Sequence, residues 1–138
     1  MLSKKKLKEL KSMVKDESPY IREMAALDPE LPENLMIKLA KDECHSIPLA
    51  LLKNPSTTTQ VLYVLLKHAV SGFVQHRTAI FMMQAYVSNQ MFLDDIALCD
   101  VVRNVHAYQP FSNIDTLQYI ELLQTEREHD LWIKREEK

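Results

Sequence analysis

Apolar and polar positions alternate along this chain with a helical period almost from its first residue. Leu2, Leu7, Leu10, Met13 and Val14 recur at three- and four-residue intervals with lysines filling the other face, which predicts an amphipathic helix with Ser3 as its N-cap. Ser18-Pro19 opens a short helical segment over Tyr20 to Leu27. Asp28-Pro29 ends it, because a residue before proline is pushed out of the α region. Pro32 suits the first position of the next helix, with Glu33 in its first turn, and that helix runs to about Lys41. The cycle then repeats. His45 to Lys53 is short and apolar, with Pro48 tolerated only in its first turn. Asn54-Pro55 breaks it, and Ser56, Thr57 or Thr58 caps a helix over Thr59 to His68.

After the break at Ser71-Gly72 the pattern changes. Phe73 to about Phe92 reads as one long or two broken helices, with the run Phe81-Met82-Met83 assigned to the core. Leu93 to Tyr108 carries Ile96, Cys99, Val102 and Val105 as its inward stripe, and Gln109-Pro110 ends it. Ser112 or Asn113 caps a final helix with Ile114, Leu117, Ile120 and Leu123 inward, extended by the charged tail from Glu126.

The first half echoes itself every 26 residues. Lys15-Asp16 returns as Lys41-Asp42 and then Lys67-His68, and Asp28-Pro29 returns as Asn54-Pro55. The trio Leu10, Met13, Val14 becomes Met36, Leu39, Ala40 and then Leu62, Leu65, Leu66. A fixed period in this range marks stacked units that bury their apolar faces against their neighbours.

The unit Asp16-x-Ser-Pro-Tyr-Ile21-Arg22-x-x-Ala25-x-x-Asp28-Pro29-x-x-Pro32-x-x-Leu35-x-x-x-Leu39-Ala40-x-Asp42 resembles the variant leucine-rich repeat, a HEAT-like helical repeat. Ile21-Arg22 stands where that family has Val-Arg, and Asn54-Pro55-Ser56-Thr57 matches its Asn-Pro-x-Thr segment. The resemblance covers about residues 10–68. It implies an α-helix alternating with a shorter helical turn, stacked into a right-handed superhelix that binds macromolecules without a catalytic residue. The chain departs from the pattern in its longer period, in Pro48 for the second arginine and in His68 for the third aspartate. Some family members hold an iron–sulfur cluster on N-terminal cysteines. Nothing here corresponds, so no cluster is carried over.

Composition fits this reading. A single glycine in 138 residues, against the usual ~7%, disfavours hairpins and phosphate-cradling loops together. The expected fold is all-α: a short HEAT-like solenoid of about two and a half units over residues 1–70, and a C-terminal helical cap over residues 71–138. The net charge of −2 hides an asymmetry, since the first 15 residues carry six lysines against Glu9 alone. No signal peptide or apolar stretch of membrane-spanning length is read, so a cytoplasmic location without membrane association is expected.

No chemistry stands out. Cys44-His45 and the Asp95/Cys99 pair lack the second ligand pair zinc requires, so no metal or cofactor is expected. Asp94, Asp95 and Asp100 supply carboxylates, but acids at a helix start are explained by the macrodipole, and no nucleophile elbow, Walker loop or H-E-x-x-H is present. The chain is therefore expected to be a non-catalytic intracellular adaptor that binds another protein through its repeat surface. Arg22, Lys38, Lys41, Tyr63 and Lys67 are its candidate contacts, and Trp132 is an anchor near the C-terminus. The alternative is a nucleic-acid-associated protein contacting phosphates through Lys4, Lys5, Lys6, Lys8 and Lys11.

Overall fold

A computed structural model describes residues 2–106, which form seven helices and, among the described residues, no strand. These are α1 (Lys4–Val14), α2 (Pro19–Ala26), α3 (Glu33–Ala40), α4 (Ser46–Lys53), α5 (Thr59–His68), α6 (Gly72–Val87) and α7 (Asp95–His106). The final helix expected after Ser112, and Trp132, lie outside the described residues. The chain divides into two compact units, Met1–Thr78 and Ala79–Lys138, and the division falls inside α6.

Local chemistry sets the helix starts. Ser3 is the N-cap of α1, its Oγ accepting from the Lys6 N–H at 3.1 Å. Thr58 does the same for α5 from Val61 at 3.3 Å, and Asp94 for α7 from Ala97 at 2.7 Å. Pro48 sits in the first turn of α4, where its missing N–H removes no intrahelical bond. Pro32 is the N-cap of α3, one residue before its expected place. A residue at ψ 151° is extended, and the helix begins only at Glu33.

Helices α2, α3 and α4 have eight residues each, below the roughly 12–15 at which an isolated helix becomes marginally stable in water. Packing must hold them. Within the first unit α3 contacts α1 and α5, while α2 contacts α4, so odd helices follow odd and even follow even. Contacts of α2 with α1 and α3, and of α3 with α4, join the two rows. Between them lie Leu10, Ala25, Ala26, Met36, Leu39, Ala40, Ile47, Leu51, Val61 and Leu65, each at most 1% exposed. Fully burying a large aliphatic side chain contributes about 1.5–3 kcal/mol. Five of these positions, Leu10, Met36, Leu39, Ala40 and Leu65, belong to the repeated trio.

The connections recur bond for bond at 26 residues. Asp16 Oδ1 accepts from the Ser18 N–H at 2.8 Å, and Asp42 Oδ1 from the Cys44 N–H at 3.0 Å. Asp28 Oδ1 accepts from the Glu30 N–H and Asn54 Oδ1 from the Ser56 N–H, both at 2.9 Å. Backbone bonds follow suit: Asp16 to Met13 matches Asp42 to Leu39, and Leu31 to Asp28 matches Thr57 to Asn54. Each is an Asx-type turn in which a short side chain satisfies an N–H that no helix uses.

Asn54 does more. It is 4% exposed, and its Nδ2 donates to the carbonyls of Ala26 and Asp28, each at 2.9 Å. Ser56 Oγ adds a bond to the Pro29 carbonyl at 2.6 Å. The second turn is thereby fastened onto the first.

The second unit is described from Ala79 to His106. Ala79, Met82, Met83 and Tyr86 are buried on α6, while Phe81 is 40% exposed. Asn89, at φ 69°, ends that helix in the left-handed region, a place asparagine tolerates better than most side chains. On α7 the expected inward stripe is wrong at Ile96, which is 78% exposed. The buried residues are Ala97, Leu98, Val101, Val102 and Val105. At about 100° per residue Ile96 points roughly half a turn away from their centre.

The geometry at Asn54 predicts the behaviour of Asn54→Asp. A carboxylate there keeps the Ser56 bond but faces two carbonyl oxygens it cannot donate to, leaving buried groups unpaired at about 1–3 kcal/mol each. Urea denaturation at pH 7 is expected to show a loss of about 2–3 kcal/mol, partly regained toward pH 4 as the acid protonates.

Candidate functional site

The first turn of the array is organised by Arg22. It projects from α2, whose Ala25 and Ala26 face inward, and its guanidinium reaches sideways. Nε and Nη2 donate to the two carboxylate oxygens of Asp42 at 2.8 and 3.3 Å, and Nη1 donates to the carbonyls of Asp16 and Glu17 at 2.7 and 3.1 Å. Arg22, an expected partner contact, thus has its guanidinium engaged within the chain. Its side chain is only 18% exposed. The Asp42 hydrogen bond chiefly, and its charge, raise the Arg22 pKa against the opposing effect of burial.

Lys6 is likewise committed. Its Nζ lies 2.8 Å from Asp28 Oδ2, which raises the lysine pKa above its ordinary 10.5, first through that hydrogen bond and then through the charge. Burial pushes the Asp28 carboxyl up, but the Lys6 hydrogen bond, the Glu30 N–H and the Lys6 charge together outweigh it. The net shift is below the ordinary 3.8. Lys6, expected among the phosphate contacts, is thus ion-paired within the chain.

Lys4, Lys5, Lys8, Lys11 and Lys15 remain exposed. None of the five is ion-paired with another described residue. On α3, Lys38 and Lys41 are exposed, three residues apart in its last turn and C-cap, where the macrodipole favours a cation. Tyr63 and Lys67, four residues apart on α5, share a shallow groove of about 280 Å³ with Gln60, Val64 and His68. The structure thus brings Tyr63 and Lys67 together on α5, keeps Lys38 and Lys41 together at the end of α3, and places Arg22 apart on α2.

No protein-family model, curated protein or solved structure matches the chain. What it can bind must be read from its own surface.

The acids and thiols have local roles. Asp94 caps α7, Asp95 lies in its first turn, and Asp100 stands 3.7 Å from Arg103. Cys44 Sγ is 3.1 Å from Ser46 Oγ, and His45 is exposed. Among the described residues no three His, Cys, Asp or Glu side chains gather where they could hold a metal ion, and no helix is long and apolar enough to cross a membrane.

One surface feature was not anticipated. Tyr20, Met24 and Leu27 lie 70%, 50% and 43% exposed along one side of α2 and its C-cap. Their spacing of four and then three residues puts them on one stripe of the helix. The signal was present in the sequence, but the same spacing also describes a buried face.

The Lys6–Asp28 pair predicts a specific pH dependence. Because the lysine pKa is raised, its contribution is complete below about 10.5 and fades as pH rises through the folded value. Because the aspartate pKa is lowered, its contribution is present above about 3.8 and fades as pH falls through the folded value. Lys6→Gln is expected to lower the thermal midpoint between pH 5 and 9, with the difference from wild type shrinking at both extremes. Calorimetry carried from below about pH 3.8 to above about pH 10.5 checks it.

Proposed function

We propose that this chain is a non-catalytic adaptor that binds another protein through the surface of a short HEAT-like helical repeat of the variant leucine-rich type. The repeat reading is supported by the 26-residue recurrence of turn hydrogen bonds, and by the succession of α1, α3 and α5 beside α2 and α4. It is further supported by the use of charged side chains as fasteners, with Arg22–Asp42 and Lys6–Asp28 joining separate elements.

The observation that carries the binding role is the apolar stripe of α2. Scattered exposed apolar residues need no explanation, but a tyrosine, a methionine and a leucine aligned on one short helix form a continuous strip. Tyrosine contributes a large contact area with little entropy to lose, and methionine adapts to the shape it meets. The strip is held rigidly, because Arg22 on the same helix is fixed at both its carboxylate and its carbonyl contacts. An amphipathic segment of a partner is the occupant such a strip suits.

Lys38 and Lys41 on α3 form a separate polar surface, so the two can be tested apart. In quantitative affinity capture followed by mass spectrometry, Met24→Glu and Leu27→Glu are each expected to reduce the recovered partner at least tenfold, with helix content unchanged by circular dichroism. Charge reversal of Lys38 and Lys41 is expected to leave it in place. A recovered set indifferent to both α2 substitutions would refute the apolar strip as the docking surface.

A further inference from the structure

The exposed lysines of α1 run against two rules of helix electrostatics. Lys4 and Lys5 occupy the first turn, at the positive end of the macrodipole, and that turn contains no acid. Lys4 and Lys8, Lys8 and Lys11, and Lys11 and Lys15 are like-charged neighbours at spacings of three or four residues, which destabilise a helix. At about 100° per residue these four fall within an arc of about 60°, and Lys5 lies about 60° beyond it. Glu9, the only acid on α1, neighbours Lys5 at four residues but projects about 100° away from Lys8. A face kept only for solubility is better served by mixed charges, with acids in the first turn. Along the Lys4, Lys8, Lys11 and Lys15 arc a local rule is broken with no compensating acid among the described residues, which points to a compensating charge from a partner.

We propose that this stripe docks the phosphate backbone of a nucleic-acid duplex. From Lys4 to Lys15 the stripe spans about 16 Å at 1.5 Å per residue. One strand of a duplex presents a phosphate about every 3.4 Å along its axis, so the stripe lies along roughly five. Lysine ammonium groups are compact point charges suited to such oxygens, and they carry no base-reading fork. The stripe includes no aromatic side chain on which an unpaired base could stack, which favours a duplex over a single strand. A membrane surface is a poorer fit. The apolar side of α1, Leu10 and Val14, is buried in the core, so nothing is left to enter the lipid. This surface is distinct from the apolar strip of α2, and Met24→Glu is expected to leave it intact.

The test is anisotropy of a fluorescein-labelled 20-base-pair DNA duplex titrated with the full chain between 50 and 200 mM salt. Four to five phosphate contacts give a slope of log K against log salt of about −3.6 to −4.5, a weakening of roughly 150- to 500-fold over that range. Lys8→Gln with Lys11→Gln is expected to flatten the slope by about 1.8, while the thermal midpoint stays level or rises because repulsion within α1 is relieved. Lys6→Gln is expected to do the opposite, lowering the midpoint and leaving the slope alone. Absence of binding at 50 mM salt would overturn the proposal, as would a slope indifferent to the Lys8 and Lys11 substitutions. So would equal competition by poly-glutamate, by anionic phospholipid vesicles or by a single strand.

Discussion

The guanidinium of Arg22 touches two successive turns at once, closing on the Asp42 carboxylate with one edge and on the carbonyls of Asp16 and Glu17 with the other. Much of the first unit depends on contacts of this kind. Eight-residue helices cannot persist alone, and each leaves carbonyl and N–H groups unpaired at its ends. With so many ends per residue, connections that satisfied those groups only by water would leave the buried rows loosely registered. The planar fork of arginine can serve a carboxylate and backbone carbonyls together, and a lysine in its place could not reach both with the same geometry.

The repeat is not copied mechanically, and its variations are physically coherent. One period after Arg22 comes the buried Pro48, and one period after Asp42 comes His68. Both members of the ion pair are replaced together, so neither charge is stranded without its counterpart. Asp28 and Asn54 make a second comparison. Both accept from the N–H two residues onward. Behind Asp28 stands the ammonium of Lys6, whereas behind Asn54 stand two carbonyl oxygens. An acid fits the first setting and an amide donor the second, so the identity of each side chain follows from what the preceding element presents to it.

The features legible in the sequence were local. Ser3 could be identified as a cap, Thr58 as one of three candidates and Asp94 as an acid at a helix start, because a cap acts within three residues. The all-helical class and the turn positions followed from proline placement and period. What escaped was set by distance or by ambiguity. Arg22 reads as a solvent-facing charge because its partner is twenty residues away and nothing adjacent announces it. On α2, Tyr20, Met24 and Leu27 satisfy the helical spacing as well as Ala25 and Ala26 do, and only packing against α1 and α4 shows that the small residues face inward. On α7 the error at Ile96 has the same origin, since two apolar stripes compete and the one richer in valine and leucine is buried.

Asn54 has a chemical consequence for the lifetime of the molecule. Asparagine ages chiefly by cyclising onto the backbone nitrogen of the following residue, and the ring then opens to a carboxylate. Here the following residue is Pro55, whose nitrogen carries no hydrogen and cannot close that ring. The same proline keeps Asn54 extended, at ψ 121°, which aims its amide at the preceding turn. The residue that breaks the helix thus also closes the imide route by which the amide at this joint would become an acid.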